Sequence, residues 1–299
     1  MEKSQICIGR KKDGSLCTYR AQKPSRYCGI HKPQYELQTI RRIGSGGFGQ
    51  TTLVRDKSTG KQYLMKKSLR DRPTEIRRQY QNLMAVQQRV DPDTRHLFVA
   101  PVGVGQEDRY LLMDYLKDFV PLSYVLCGHL PSTREERRQA ALLLLRAVDA
   151  LHQAGMAHSD IKPENIMVGR DPETKQIQLR LIDFGLACTR ENCRKASPGG
   201  TIRYMPPSFL DYYDFRPQGT FSLSKRNFED YVEYDRWATG LVVLSLSYDK
   251  TSNPVLDLLS NQPKKHYASI LRTHPTVLRD ANTRIREFTG YPKDLLVSS

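Results

Sequence analysis

The chain of 299 residues has no long apolar run. Its longest helical stretch of that kind, Ala140 to Leu145, stops at Arg146. A membrane-spanning helix needs roughly 18 such residues, so none is expected. Met1-Glu2-Lys3-Ser4 opens no secretory leader, and the reading is an intracellular protein. Cysteine is sparse, with six in the chain, which argues against the disulfide framework of a small secreted domain. Negative charge is in deficit too: 47 Lys and Arg stand against 32 Asp and Glu, a net charge of +15. That excess favours acidic partners such as nucleic acid, an anionic membrane or an acidic protein. Solubility together with an anionic small ligand explains it equally well. The length allows one large or two modest cores.

The cations and cysteines are unevenly spread. Residues 1–33 hold eight Lys or Arg against two Asp or Glu, and three of the six cysteines lie in the first 28 residues. Cys7, Cys17, Cys28 and His31 supply three thiolates and one imidazole, a complete tetrahedral zinc set. Apolar residues are few there (Ile6, Ile8, Leu16, Tyr19, Tyr27), so the segment needs a staple to fold. The spacings are not those of the best-known fingers, and a disordered basic arm with incidental thiols is the alternative. The string is similar to short Cys-Cys-Cys-His modules in proteins of large DNA viruses. With zinc bound the head stays basic, compatible with contact to nucleic acid or docking to an acidic protein.

Further on, His158-Ser159-Asp160-Ile161-Lys162-Pro163-Glu164-Asn165 is followed by Asp183-Phe184-Gly185. An Asp, a Lys two residues on, an Asn five residues on and a later Asp form a phosphoryl-transfer layout. That chemistry is mostly placement and electrostatic stabilisation, so its charged groups need fixed positions. Upstream, Ile43-Gly44-Ser45-Gly46-Gly47-Phe48-Gly49-Gln50-Thr51 is a Gly-rich turn between two strand-patterned runs. A dinucleotide site would need this turn to open a helix and an acid about 20 residues on. Here the chain continues as strand and reaches Lys66.

Taken together, these strings resemble the eukaryotic-type protein kinase family over roughly residues 35–299. The resemblance implies an α+β, two-lobed fold: residues 1–34 as a separate zinc-like module, 35–116 as a small β-rich lobe with hinge, and 117–299 as a large, mainly helical lobe. It implies ATP and Mg²⁺ as cofactors and a protein substrate with a Ser or Thr acceptor. Residues 43–49 and Thr51 would cover the nucleotide, although the family usually has Val at position 51. Lys66 would meet the α- and β-phosphates. Leu64 stands where a small Ala usually contacts adenine. Met113 would be the gatekeeper, Asp114 and Leu116 would lie at the hinge, and Met167 would form the floor of the base pocket. The helix expected from Pro73 to Val90, with Ile76, Tyr80, Leu83, Met84 and Val86 inward, offers Glu75 as partner of Lys66. Gln79, one turn later, suits the family spacing better, and Glu75 is favoured only slightly.

In the large lobe, Ser132-Thr133 with Glu135 and Glu136 reads as a capping box that starts a long helix ending at Gly155. By the resemblance, Asp160 would accept the hydroxyl proton, Lys162 would steady the γ-phosphate, and Asn165 with Asp183 would hold Mg²⁺. Lys162 fits a Ser/Thr kinase and not a tyrosine kinase. Thr201 matches the threonine that bonds the catalytic Asp, and Asp235 would bond backbone near His158 at the start of a buried helix. Ser159 replaces an Arg that normally receives an activation-loop phosphate, so the usual phosphate receptor is missing. Ser208 replaces a Glu that braces a late Arg. Cys188 and Cys193 read mostly as loop thiols, with a redox pair or a metal site as the alternatives. A pseudokinase scaffold is the competing function, favoured by the departures at the αC acid, Leu64, Ser159 and Ser208. The intact Lys66, Asp160, Asn165 and Asp183 favour an active enzyme.

Overall fold

The computed structural model describes residues 35–46, 49–68, 72–105, 108–195, 199–211, 226–248 and 253–297. Cys7, Cys17, Cys28, His31, Gly47 and Phe48 lie outside the described residues. The chain divides into two compact units, Met1–Gln88 with Val99–Lys117, and Arg89–Phe98 with Asp118–Ser299.

The first unit is an antiparallel sheet with one long helix. Strands β1 (Leu37–Gly46), β2 (Gly49–Asp56) and β3 (Gln62–Lys67) form a meander. Helix α1 (Pro73–Arg89) follows, then β4 (Pro101–Val104) and β5 (Tyr110–Asp114), and the sheet order is β1-β2-β3-β5-β4. Side chains alternate along a strand. Tyr63 and Met65 on β3 therefore join Val54 and Leu112 in one buried cluster, with Tyr35, Leu37, Val102 and Tyr110 packed on it. The same alternation turns Leu64 and Lys66 to the other face and leaves Lys67 exposed.

Two elements here differ from the sequence reading. Strand β4 begins at Pro101, where the alternation of Phe98 to Val104 reads as one strand from Phe98; Phe98 instead makes an isolated parallel bridge to Leu181 within the second unit. The buried stripe of α1 is Ile76, Gln79, Asn82, Leu83 and Val86, while Tyr80 and Met84 are only half-buried. The apolar period alone could not reveal that two amides take inward positions.

The second unit is mainly helical. It runs through β6 (Val120–Pro121), α2 (Leu122–Leu126), α3 (Arg134–Gln153) and β7 (Met156–Ala157). Next come β8 (Ile166–Arg170), β9 (Ile177–Leu181), β10 (Cys188–Thr189) and α4 (Pro207–Leu210). It closes with α5 (Phe228–Ser247), α6 (Pro254–Leu259), α7 (Tyr267–Thr273) and α8 (Pro275–Thr289). Thr133 caps α3 by accepting from the Glu136 amide at 3.1 Å, while the Glu136 carboxylate accepts from the Thr133 amide at 2.7 Å. Arg170 also bonds Glu136, at 2.7 Å, and these contacts hold its carboxyl down at about 2.

Helix α5 is buried on nearly all sides, with Trp237, Leu241, Val242, Val243, Leu244 and Leu246 at 0–1% exposure. A helix apolar all round belongs in a core, and each such side chain contributes roughly 1.5–3 kcal/mol. It starts at Phe228, seven residues before Asp235, because Asn227 and Asp230 form a second capping box. Asp235 therefore sits two turns inside the helix and not at its start. Cys188 and Cys193 are joined in a disulfide, both buried, so they are not free loop thiols. Their five-residue separation brings them together where β10 ends and a tight turn follows.

Candidate active site

In the second unit the segment His158–Asn165 hangs from α5. The Asp235 carboxylate, fully buried, accepts from the backbone amides of His158 at 2.7 Å and Ser159 at 2.8 Å. It also lies 3.1 Å from Nε2 of His152. Charged acceptors make the stronger hydrogen bonds, which explains how a carboxylate is retained at the centre of a core. Ser159 is thereby fixed at φ 65°, a left-handed conformation costing a non-glycine residue roughly 1–2 kcal/mol. The His158 ring accepts from the Asp160 amide through Nδ1 at 3.3 Å, so Nε2 carries the proton and donates to the Ile182 carbonyl at 2.9 Å. The edge of Phe184 packs on this ring at 4.8 Å, and Phe98 packs on Phe184 at 6.1 Å.

Four of the expected residues converge here. Thr201 donates through Oγ1 to Oδ1 of Asp160 at 2.9 Å. Lys162 donates to Thr201 Oγ1 at 2.8 Å and lies 2.9 Å from Oδ2 of Asp160. Asn165 donates through Nδ2 to the Asp160 carbonyl at 2.8 Å and to Oδ2 at 3.0 Å. Asp160 is 4% exposed, so this network, not solvent, sets its orientation. With both amide hydrogens of Asn165 committed, its amide oxygen remains as an acceptor. Asp183 stands at φ 62° with Oδ1 accepting from the Gly185 amide at 3.3 Å. An amide oxygen and a carboxylate are the ligand types that suit a hard cation such as Mg²⁺. Among the described residues no group of three or more His, Cys, Asp and Glu is placed to hold a metal. Met167, on β8, is half-buried opposite Arg180 and Pro121.

The first unit carries the remaining expected residues. Lys66 is 6% exposed at mid-β3, opposite Thr51 on β2 and Leu111 on β5. A Cβ on Gly49 would fall 2.4 Å from the Lys67 carbonyl and 3.4 Å from Cε of Lys66, so only glycine lets β2 approach β3 this closely. A Cβ on Gly44 would meet nothing within 4 Å, leaving room for a ligand over the turn. Ile43 is exposed, and Ser45 and Gly46 close β1. Leu64 pairs with Leu53 and with Met113, which is buried. Asp114 donates its amide to the Ala100 carbonyl at 3.1 Å, and Leu116 is half-buried. The residues present thus fit a nucleotide on this face and a divalent cation at Asn165 and Asp183.

On α1 the Glu75 carboxylate accepts from Ser68 and Arg72, each at 3.1 Å, whereas Gln79 is buried on the inward stripe. The sequence reading preferred Glu75 because it is the only acid on that helix.

A family model described as the protein kinase domain matches residues 37–286. The chain belongs to the protein kinase family. Its kinase domain is 29% identical to mouse Citron Rho-interacting kinase over 225 residues, 73% of this chain and 10% of that protein. It is 29% identical to the Arabidopsis thaliana serine/threonine-protein kinase AtPK2/AtPK19 over 184 residues, 58% of this chain and 36% of the relative. It is 30% identical over 243 residues to the Drosophila melanogaster membrane-associated tyrosine- and threonine-specific cdc2-inhibitory kinase, covering 77% of this chain and 38% of that one. The chain therefore spans well under two thirds of each of these relatives. The protein kinase family accounts for the α+β organisation: a five-stranded sheet with one helix in the first unit and a helical second unit. No described helix is long and apolar enough to cross a membrane.

Proposed function

We propose that this chain is an active serine/threonine protein kinase that transfers the γ-phosphate of ATP to a protein hydroxyl. The observation that carries the reading is the contact network of Asp160, Lys162, Asn165 and Thr201. Asp160 is the base that takes the acceptor's proton. Thr201 and Asn165 hold its two carboxylate oxygens, so the proton-accepting lone pair is fixed before substrate arrives. Lys162, beside the carboxylate, steadies the transferring phosphate. Asn165 and Asp183 hold Mg²⁺, which neutralises phosphate charge when bound. In the first unit Lys66 would hold the phosphates, and Leu64, Met113 and Leu116 would line the base. Gln79, buried on the inward stripe, suits the role of Lys66's α1 neighbour by the family spacing. Asp160→Asn keeps the fold and nucleotide affinity but should lower turnover by about 10²- to 10⁴-fold. Transfer by that variant at near wild-type rate would remove Asp160 from the role of base.

The N-terminal segment is part of the same proposal. Cys7, Cys17, Cys28 and His31 bind one structural Zn²⁺ and present a basic head to an acidic protein or nucleic acid. Support comes from ligand type, local charge and the scarcity of apolar residues alone. Metal analysis of protein purified under reducing, chelator-free conditions should find about one zinc per chain, lost in Cys28→Ser. Zinc-free wild-type protein would end this part of the reading.

A further inference from the structure

Gly200 precedes the threonine that holds Asp160, and its surroundings are unusual. Its φ is 121°, a conformation open to glycine. A Cβ there would lie 2.1 Å from Oη of Tyr234 and 3.0 Å from the Ser159 carbonyl. The tyrosine hydroxyl of α5 is thus thrust between the Gly200 backbone and the catalytic loop. Tyr234 is 1% exposed and stacked on Phe209 at 4.9 Å, with Arg226 in turn 4.0 Å over the Phe209 ring. Its Oη makes no hydrogen bond among the described residues, nor does Oγ of Ser159. The Thr201 backbone N–H faces the same oxygen. Burial, reinforced by Asp160 and Asp235, pushes the Tyr234 hydroxyl well above its ordinary pKa, while the Thr201 backbone opposes the shift.

We propose that Tyr234 is a positioning residue whose hydroxyl pins Gly200 and Thr201 against Ser159, and so keeps Thr201 on Asp160. The inference rests on the kinase reading above and deepens it. At position 159 a serine stands where the family's arginine would receive a loop phosphate. Tyr234 supplies from the core, without charge, the order that such a phosphate would impose from the surface. Arg226 and Phe209 set the ring; the hydroxyl acts only through Gly200 and Thr201.

The test is Tyr234→Phe, which keeps the ring and its packing. We expect kcat to fall about tenfold with KM for ATP and the melting temperature unchanged. Thr201→Ala combined with Tyr234→Phe should be no slower than Thr201→Ala alone, because both changes release the same contact. A purely structural tyrosine would give multiplying losses. Hydrogen exchange of the Gly200 and Thr201 amides should quicken in Tyr234→Phe. Wild-type kcat in that variant with unaltered exchange overturns the proposal. If the wild-type chain transfers no phosphate, the kinase reading fails by itself. The exchange measurement then still decides: equal exchange in the two proteins removes Tyr234 from this role.

Discussion

The catalytic loop and the sheet of the first unit hold their polar groups in different ways. In the loop, Asp160 is tied on each carboxylate oxygen, and the whole segment is suspended from the buried Asp235. In the sheet, Lys66 gets its place from strand alternation and from the missing side chain of Gly49. One region is specified by charged hydrogen bonds inside a core, the other by shape. Departures from the family pattern follow this division. Where shape decides, Leu64 replaces the usual residue; where hydrogen bonds decide, Asp160, Lys162, Asn165, Thr201 and Asp235 are all in place. Ser159 is the departure inside the loop. Its backbone amide still bonds Asp235, so the loop geometry does not depend on the lost side chain.

The largest effect should come from the support of the loop. Asp235→Asn replaces a charged acceptor of two amides and leaves His152 without its carboxylate. Urea melts should show a loss of roughly 3 kcal/mol. Activity should drop more than tenfold even where the protein stays folded. A variant with wild-type stability would show that the loop is held by packing alone.

The shape-specified region should be more forgiving. On the reading that Gln79 is the α1 neighbour of Lys66, Gln79→Ala should raise KM for ATP about fivefold. Glu75→Gln should change it less than twofold, since among the described residues Glu75 bonds Ser68 and Arg72. The opposite ranking, measured by steady-state kinetics, would return Glu75 to the position beside Lys66.

The disulfide offers a third comparison, because it belongs to the second unit but not to the loop. Closing so small a ring stabilises by about 2 kcal/mol. Cys188→Ser should lose that amount in denaturant melts under oxidising conditions, and reductant should bring the wild type down to the same level. Equal melts with and without reductant would mean that the ring adds nothing to stability.

The smallest effect concerns acid. The Glu136 carboxyl sits at about 2 in the fold because Arg170 and the Thr133 amide bond its charged form, against an ordinary 4.5. A depressed carboxyl stabilises fully above the ordinary value and loses that contribution as pH falls toward the lowered one. Thermal melts between pH 5 and about 2 should therefore fall more steeply in wild type than in Glu136→Gln, where the capping box survives without charge. Parallel curves would remove Glu136 from the acid response.

Most of the fold and nearly all of the loop were legible in the sequence, for a physical reason. Chemistry that needs charges at fixed spacing leaves short strings such as His158–Asn165 and Asp183-Phe184-Gly185. Capping boxes likewise announce themselves, as at Thr133 and Glu136. Groups whose role depends on distant packing leave no such trace. Nothing near Gln79 in the chain says that it turns inward, or that Arg72 occupies Glu75. Tyr234 reads as one more core aromatic until Gly200 is placed against its hydroxyl. Cys188 and Cys193 read as loop thiols because their pairing depends on the turn between them. The start of α5 reads seven residues late in the sequence because the Asp235 signal lies inside the helix; Asn227 and Asp230 mark its cap.

The central claim is that the second unit's network serves phosphoryl transfer. Its most direct test is transfer from radiolabelled Mg-ATP to basic and acidic acceptor proteins, using phosphatase-treated wild-type chain beside Asp183→Asn. The account predicts label on serine or threonine from the wild type and at least about a hundredfold less from the variant. Wild-type transfer no greater than that of Asp183→Asn would contradict it.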